Sequence, residues 1–246
     1  MKRIELKTLK RMKDYLVIEN EKTKVVFSTA EESKNFNRNT EEGLNNINGL
    51  TREFRVDKVI YLRQIHSDTI FSYNGENGEE LIEKEGDAII TNVRNSIIGV
   101  FTADCVPVIL VDEVSGSVAA IHSGWKGTFS SITKKTVRKM EKEYSVNTVN
   151  IKAYIGPHIR KCCYEVSQEL KEKFLLEKGI DEKILFNDRN LSLEECIFKD
   201  LRECGIEEEN INSISLCTHC SNEVKLYSYR ASNGAYGRLF SFVLIK

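Results

Sequence analysis

Two short apolar runs, residues 106–111 and 118–121, constrain the fold of this chain more than any other feature. A strand with one wet face alternates apolar and polar residues, whereas a nearly continuous apolar run has both faces buried. Further β-type runs occupy residues 24–28, 56–62, 69–73, 87–91, 97–102, 149–155, 211–216 and 239–245, and residues 4–6 and 15–18 suggest an opening hairpin. Phe129, Ile132, Thr136, Met140 and Tyr144 recur at helical steps and predict an amphipathic helix over 127–144. Val166, Leu170 and Phe174 predict another over 165–178, and a third, 193–204, ends at Gly205. The polar, Asn-rich stretch 33–48 is expected to be a long loop or a lid over a site, and 74–80 a hairpin turn. There is no internal repeat and no abrupt change of composition. Residues 1–246 are expected to form one α+β domain, a mixed sheet with flanking helices.

The 246 residues suffice to bury a core without disulfides or a structural metal. Lys and Arg (36) nearly balance Asp and Glu (37), and no basic block interleaves with aromatics, so nucleic acid is not an expected partner. Residues 1–20 lack the apolar core of a secretory segment, and no apolar run approaches the roughly 18 residues of a membrane span. The seven cysteines then read as thiols, and the cytoplasm is the expected compartment.

Chemistry is confined by scarcity, because the chain has only four histidines. His66 follows a strand-like run. His122 ends the 118–121 run and opens the turn Ser123-Gly124-Trp125-Lys126-Gly127, and Cys105 stands at the mouth of the 106–111 run. Strand ends beside glycine turns are where open α/β sheets place their sites. Two imidazoles and a thiolate leave one position of a tetrahedral Zn²⁺ open, the mark of a catalytic centre. Asp104 and Gln64 flank these residues and are the candidates to orient an imidazole. Taken singly, a strand-end His is more often a surface residue and a Cys in an apolar strand a small core residue. Cys105 also suits a second role, as a nucleophile paired with a His. Cys217-Thr218-His219-Cys220 resembles a zinc half-site, but Cys162-Cys163 is adjacent rather than spaced, and Cys196 and Cys204 fall on a helix. These cysteines are therefore expected to be reduced core thiols. Tyr229-Arg230, ahead of Asn233-Gly234 and Tyr236-Gly237-Arg238, suits gripping a phosphate or carboxylate beside a stacking ring.

Taken in order, Gln64-Ile65-His66-Ser67, Gly86-Asp87-Ala88-Ile89-Ile90-Thr91, Thr102-Ala103-Asp104-Cys105-Val106-Pro107, Ile121-His122-Ser123-Gly124-Trp125-Lys126-Gly127, Ile155-Gly156-Pro157 with Cys163-Tyr164-Glu165-Val166, and Tyr229-Arg230 form a pattern. Over residues 64–245 the chain resembles the laccase-domain family, once called multicopper polyphenol oxidoreductases and now described as purine nucleoside phosphorylases. The resemblance implies β-sheets sandwiched between helices and a metal held by His66, Cys105 and His122. The metal is expected to be zinc, with copper the weaker alternative, because four histidines cannot furnish a multicopper cluster. It implies phosphorolysis of adenosine, inosine and methylthioadenosine with some deamination of adenosine. Catalytic roles are then expected for Cys105, Asp104 (a proton shuttle) and Arg230 (the phosphate), and substrate contacts from Gln64, Lys126 and Tyr229. Nucleosides and phosphate are the expected partners, and the chain a monomer or homodimer. Two rival classes are a cysteine-dependent amide hydrolase editing a cell-wall precursor and a non-catalytic metal-binding regulator.

Overall fold

A computed structural model of the chain describes residues 1–232 and 237–246. Among these residues the strands build two large mixed sheets and a two-stranded ribbon. The seven-stranded sheet runs in the order Lys2–Ile4, Ile211–Ile214, Lys152–Ile155, Val106–Asp112, Ser117–Ser123, Ala88–Thr91, Ile70–Tyr73. The six-stranded sheet runs Lys10–Met12, Tyr15–Glu19, Thr23–Ser28, Leu239–Ile245, Ser96–Thr102, Lys58–Ile60.

The apolar runs are continuous because each central strand serves two cores. Along Val106–Asp112, Val106, Val108 and Leu110 face a helix layer, while Ile109 and Val111 face the other sheet. Ser117–Ser123 divides in the same way, with Ala119 and Ile121 on one side and Val118 and Ala120 on the other. The outer core of this sheet is closed by Ile132, Val137 and Met140 of helix Ile132–Tyr144, Phe174 of Gln168–Lys178, and Ile197 and Leu201 of Leu193–Glu203. On the far side, Ile47 and Leu50 of helix Glu41–Phe54 pack on Tyr15, Val26, Phe240 and Phe242. Helix, sheet, sheet and helix form four layers, as the resemblance implied. Among the described residues no helix is long and apolar enough to cross a membrane.

Four local expectations are corrected. The opening hairpin is Lys10–Met12 with Tyr15–Glu19, whereas Lys2–Ile4 pairs in parallel with Ile211–Ile214 in the other sheet. Within 33–48, residues from Glu41 onward are helical. The helix is announced by Thr40, whose hydroxyl accepts from the Gly43 N–H at 3.1 Å, and by the buried Gly43, Ile47 and Leu50. Asparagine-rich composition hid this stripe. Gly43 is required there, since a Cβ would fall 1.9 Å from the Asn37 carbonyl oxygen. Residues 74–80 form no hairpin turn, because Ile70–Tyr73 and Ala88–Thr91 are parallel and need a crossover, which contains helix Gly78–Glu83. The 127–144 helix is two, Trp125–Phe129 and Ile132–Tyr144, broken where Ser131 takes φ 56°.

Candidate metal centre and its cavity

The site forms where the chain passes from one sheet to the other. Ser96–Thr102 belongs to the six-stranded sheet and Val106–Asp112 to the seven-stranded one, so residues 103–105 make the crossing, with Asp104 at φ 95°. His122 lies opposite Pro107 in the antiparallel register and shares the inter-sheet face of Val118 and Ala120. Cys105 thereby arrives diagonally beside it, at a distance long side chains span. His66 approaches from the loop after Lys58–Ile60, itself at φ 60°.

The donor atoms of His66, Cys105 and His122 all lie within 4.8 Å of one another. His66 Nε2 stands 3.7 Å from Cys105 Sγ, and the two imidazoles meet edge to face at 4.9 Å between centroids. Tetrahedral zinc with ordinary Zn–N and Zn–S bonds would separate a nitrogen and a sulfur by roughly 3.6 Å. A Cβ on Gly124 would lie 2.8 Å from His66 Cδ2 and 3.1 Å from Cys105 Sγ, so the glycine keeps this space clear. The donor set and its spacing fit a zinc ion.

Asp87, fully buried, organises the centre, and the sequence reading did not assign it a role. One oxygen is 2.7 Å from His122 Nδ1 and accepts from the His66 N–H at 3.0 Å; the other accepts the Ser67 N–H and hydroxyl, each at 2.6 Å. These bonds hold the loop in its positive-φ turn and fix the imidazole with Nε2 toward the donors. Burial alone would raise the Asp87 carboxyl, but His122 and Ser67 more than offset it and hold it below the usual carboxylate range. Burial likewise opposes ionisation of Cys105 and His122. Their mutual attraction, with help from Asp87 and His66, wins and brings the thiol down to about 6 and the imidazole up to about 9.

Asp104 and Gln64 do not orient either imidazole. Asp104 accepts from the Thr218 hydroxyl at 2.6 Å and from the Arg230 N–H at 2.8 Å. Gln64 pairs with the backbone of Phe101 through both ends of its amide, at 2.8 and 2.7 Å. Both hold backbone in place: Gln64 satisfies Phe101 groups that lie beyond the pairing of Lys58–Ile60 with residues 96–98, and Asp104 the Arg230 N–H of a turn. His158 is a buried structural residue, its Nδ1 2.8 Å from the Gly156 carbonyl oxygen.

The centre opens into a cavity of about 760 Å³. Among the described residues, Arg38, Arg63, Arg230 and Arg238 line it against Glu83 and Asp104, a positive excess suited to an anion. Tyr164, Tyr229 and Trp125 supply aromatic surface. The Arg230 guanidinium lies 5.5 Å from the Tyr164 ring and donates to the Glu165 carbonyl oxygen at 3.3 Å from both terminal nitrogens. Lys126 is not among the lining residues; its ammonium sits 5.7 Å from the Trp125 ring, because the short helix points it outward. Residues 33–40 do border the site, through Asn37, Arg38 and Asn39, so the expectation of a segment over a site holds for that part. Of the expected turn near the C-terminus, Asn233, Gly234 and Tyr236 lie outside the described residues.

Comparison with known proteins shows the family and the fold. Residues 7–246 match the family model described as multi-copper polyphenol oxidoreductase laccase, which extends the resemblance well before residue 64. A Clostridium acetobutylicum protein named purine nucleoside phosphorylase is 44% identical over 232 residues, covering 94% of this chain and 96% of its own. An Aquifex aeolicus protein of the same name is 37% identical over 196 residues, covering 79% and 87%. The crystal structure of the Bacillus licheniformis hypothetical protein YfiH superposes with a TM-score of 0.87 at 26% identity, covering 96% and 97%.

Proposed function

The chain belongs to the multi-copper polyphenol oxidoreductase laccase family, and from that premise we propose that it is a zinc-dependent purine nucleoside phosphorylase. Its substrates are adenosine, inosine and methylthioadenosine, with deamination of adenosine as a side activity. The observation that carries this reading is a mixed His, Cys, His donor set opening into a cavity rich in arginine and aromatic rings. Relatives named purine nucleoside phosphorylase support it. Two imidazoles and one thiolate suit a single zinc, whereas copper oxidase chemistry needs a larger set of histidines.

In phosphorolysis a phosphate oxygen bonds to the anomeric carbon while the glycosidic C–N bond breaks. The purine leaves with the bonding pair and takes up a proton. Zinc held by His66, Cys105 and His122 would act as a Lewis acid and lower the pKa of a water. Arg230 grips the phosphate in a charge-assisted pair, and Arg38 and Arg238 add positive field around it. Tyr229 and Tyr164 offer faces on which the base stacks. Asp87 holds His122 to one tautomer. Asp104 is a positioning residue: its bond to the Arg230 main-chain N–H holds the turn that carries the guanidinium.

The test is adenine against inosine formation from adenosine over a phosphate titration. Arg230→Ala removes a charge-assisted bond of about 1.5–3 kcal/mol, so adenine release should fall roughly ten- to hundred-fold. Inosine formation consumes no phosphate and should fall less. Adenine release that ignores phosphate in the native protein would refute phosphorolysis. The thiolate–imidazolium character of Cys105 and His122 favours one second reading, a cysteine-dependent amide hydrolase. Amide hydrolysis that persists after the metal is stripped by a chelator would select it.

A further inference from the structure

Away from the cavity floor, the fold gathers four cysteines that spacing along the chain did not pair. Cys162 and Cys163 lie in the turn after Lys152–Ile155, and Cys217 and Cys220 in the turn after Ile211–Ile214. Those two strands are parallel neighbours, so the turns that follow them leave the same end of the sheet together. The four sulfurs lie within 4.8 Å of one another, with Cys162 and Cys220 at 3.5 Å. Nor are they core thiols as a group, since Cys162 and Cys220 are exposed, Cys163 is half-buried and only Cys217 is buried.

We propose that Cys162, Cys163, Cys217 and Cys220 bind a second zinc ion, a closed four-thiolate site distinct from the three-donor centre. Tetrahedral Zn–S bonds of the usual length place sulfurs roughly 3.8 Å apart, so the observed cluster closes on an ion by small side-chain adjustments. Contact at 3.5 Å is far longer than the roughly 2.05 Å of a disulfide. In the turn, the Ser221 N–H closes on the Cys217 carbonyl at 3.0 Å, fixing its direction. Uptake of Zn²⁺ by four thiols releases four protons and leaves a complex of net charge −2, which solvent at the exposed Cys162 and Cys220 stabilises. With four protein ligands no position stays open, so the role is structural.

The clamp would act on the cavity wall. Thr218, between the paired cysteines, donates to Asp104 at 2.6 Å, and Tyr164 directly follows Cys163 and lines the cavity. Joining the two turns therefore fixes both the Asp104 support of Arg230 and the Tyr164 ring beside it.

The experiment is titration of the fully reduced protein with Zn²⁺ and, separately, Co²⁺, in native, Cys105→Ala and Cys162→Ser/Cys220→Ser forms. The double variant changes exposed residues and spares buried Cys217, so it should fold. The native chain should bind two equivalents, Cys105→Ala should keep one, and the double variant should lose one. Cobalt in Cys105→Ala should give the intense sulfur-to-metal absorption of several thiolates, and cobalt in the double variant a weaker band from one. A Cys105→Ala protein that binds no tight Zn²⁺ while its four cluster thiols react freely would overturn the proposal. So would a native chain isolated under reducing conditions with these sulfurs in disulfides, read as a mass lower by two hydrogens per bridge. Loss of zinc from the three-donor centre alone leaves the four-thiolate result intact, so the two assignments fail separately.

Discussion

His66, Cys105 and His122 present two nitrogens and one sulfur beneath a cavity, whereas Cys162, Cys163, Cys217 and Cys220 present four sulfurs near the surface. The first cluster has a buried carboxylate, Asp87, behind one ligand and a glycine in place of any side chain that would fill its centre. In the second, Cys162 and Cys220 are exposed and their sulfurs stand 3.5 Å apart. Donor count and backing explain the difference in role. Three donors held by a rigid hydrogen-bonded shell leave room for a reactant, while four donors use every position and merely join two turns.

The largest effect should come from breaking the three-donor side of that contrast. Cys105→Ala should lose the zinc of the cavity and, with it, several kcal/mol of transition-state stabilisation, a fall in kcat/KM of about a thousand-fold. Cys162→Ser should leave kcat within a few-fold by comparison. Steady-state phosphorolysis together with elemental analysis reads both, and equal losses in the two variants would erase the distinction between a reactive and a structural cluster.

Removing the backing rather than a ligand should cost less. Asp87→Asn keeps the shape but weakens the bond to His122 and forces an amide to meet the Ser67 N–H and hydroxyl, so zinc affinity should drop about ten- to hundred-fold. Competition with a chromophoric chelator measures this. Unchanged affinity would mean that Asp87 supports only the loop.

The smallest effect calibrates what burial does to a carboxylate lacking such partners. Asp200 is also buried, but there burial dominates: one oxygen takes the Ser131 hydroxyl at 3.0 Å, and the group is pushed up to about 6 despite Lys178 nearby. An acid whose folded pKa is raised binds more protons folded than unfolded. Its penalty is absent below the unfolded value near 4, grows as pH rises and is complete above about 6. Asp200→Asn should therefore be more stable than the native chain at pH 7 to 8 by about 1–3 kcal/mol, with the gap closing near pH 4. Denaturant melts across that range test it, and a gap independent of pH would assign the effect to something other than ionisation. Asp87, held below the usual range by its partners, has the opposite sign: its contribution is present above the unfolded pKa and lost as acid protonates it.

Much of the architecture was legible because burial on both faces leaves a local mark. Uninterrupted apolar runs at 106–111 and 118–121 and the 3.6-residue stripes of the outer helices are properties of neighbouring residues, so reading them needs no partner. Residues 41–54 escaped because only Gly43, Ile47 and Leu50 mark the buried stripe in a field of asparagines and charges. Strand partners were less legible still, since Lys2–Ile4 could pair with either sheet as far as its own residues tell.

At the site, the sequence by itself determined the scarce types His66, Cys105 and His122 beside strand-like runs, and an arginine, Arg230, beside aromatic residues. Tertiary structure decided which neighbours serve them. Asp87 replaced Asp104 behind His122 because the Ala88–Thr91 strand pairs with Ser117–Ser123, so that the residue before Ala88 reaches His122. Asp104 was drawn instead to Thr218 and Arg230 by its place on the crossing between sheets. The four cysteines met for a similar reason, two parallel strands delivering distant turns to one end of the sheet. Residue chemistry is carried by single letters, but convergence depends on strand order and register, which long-range pairing alone sets.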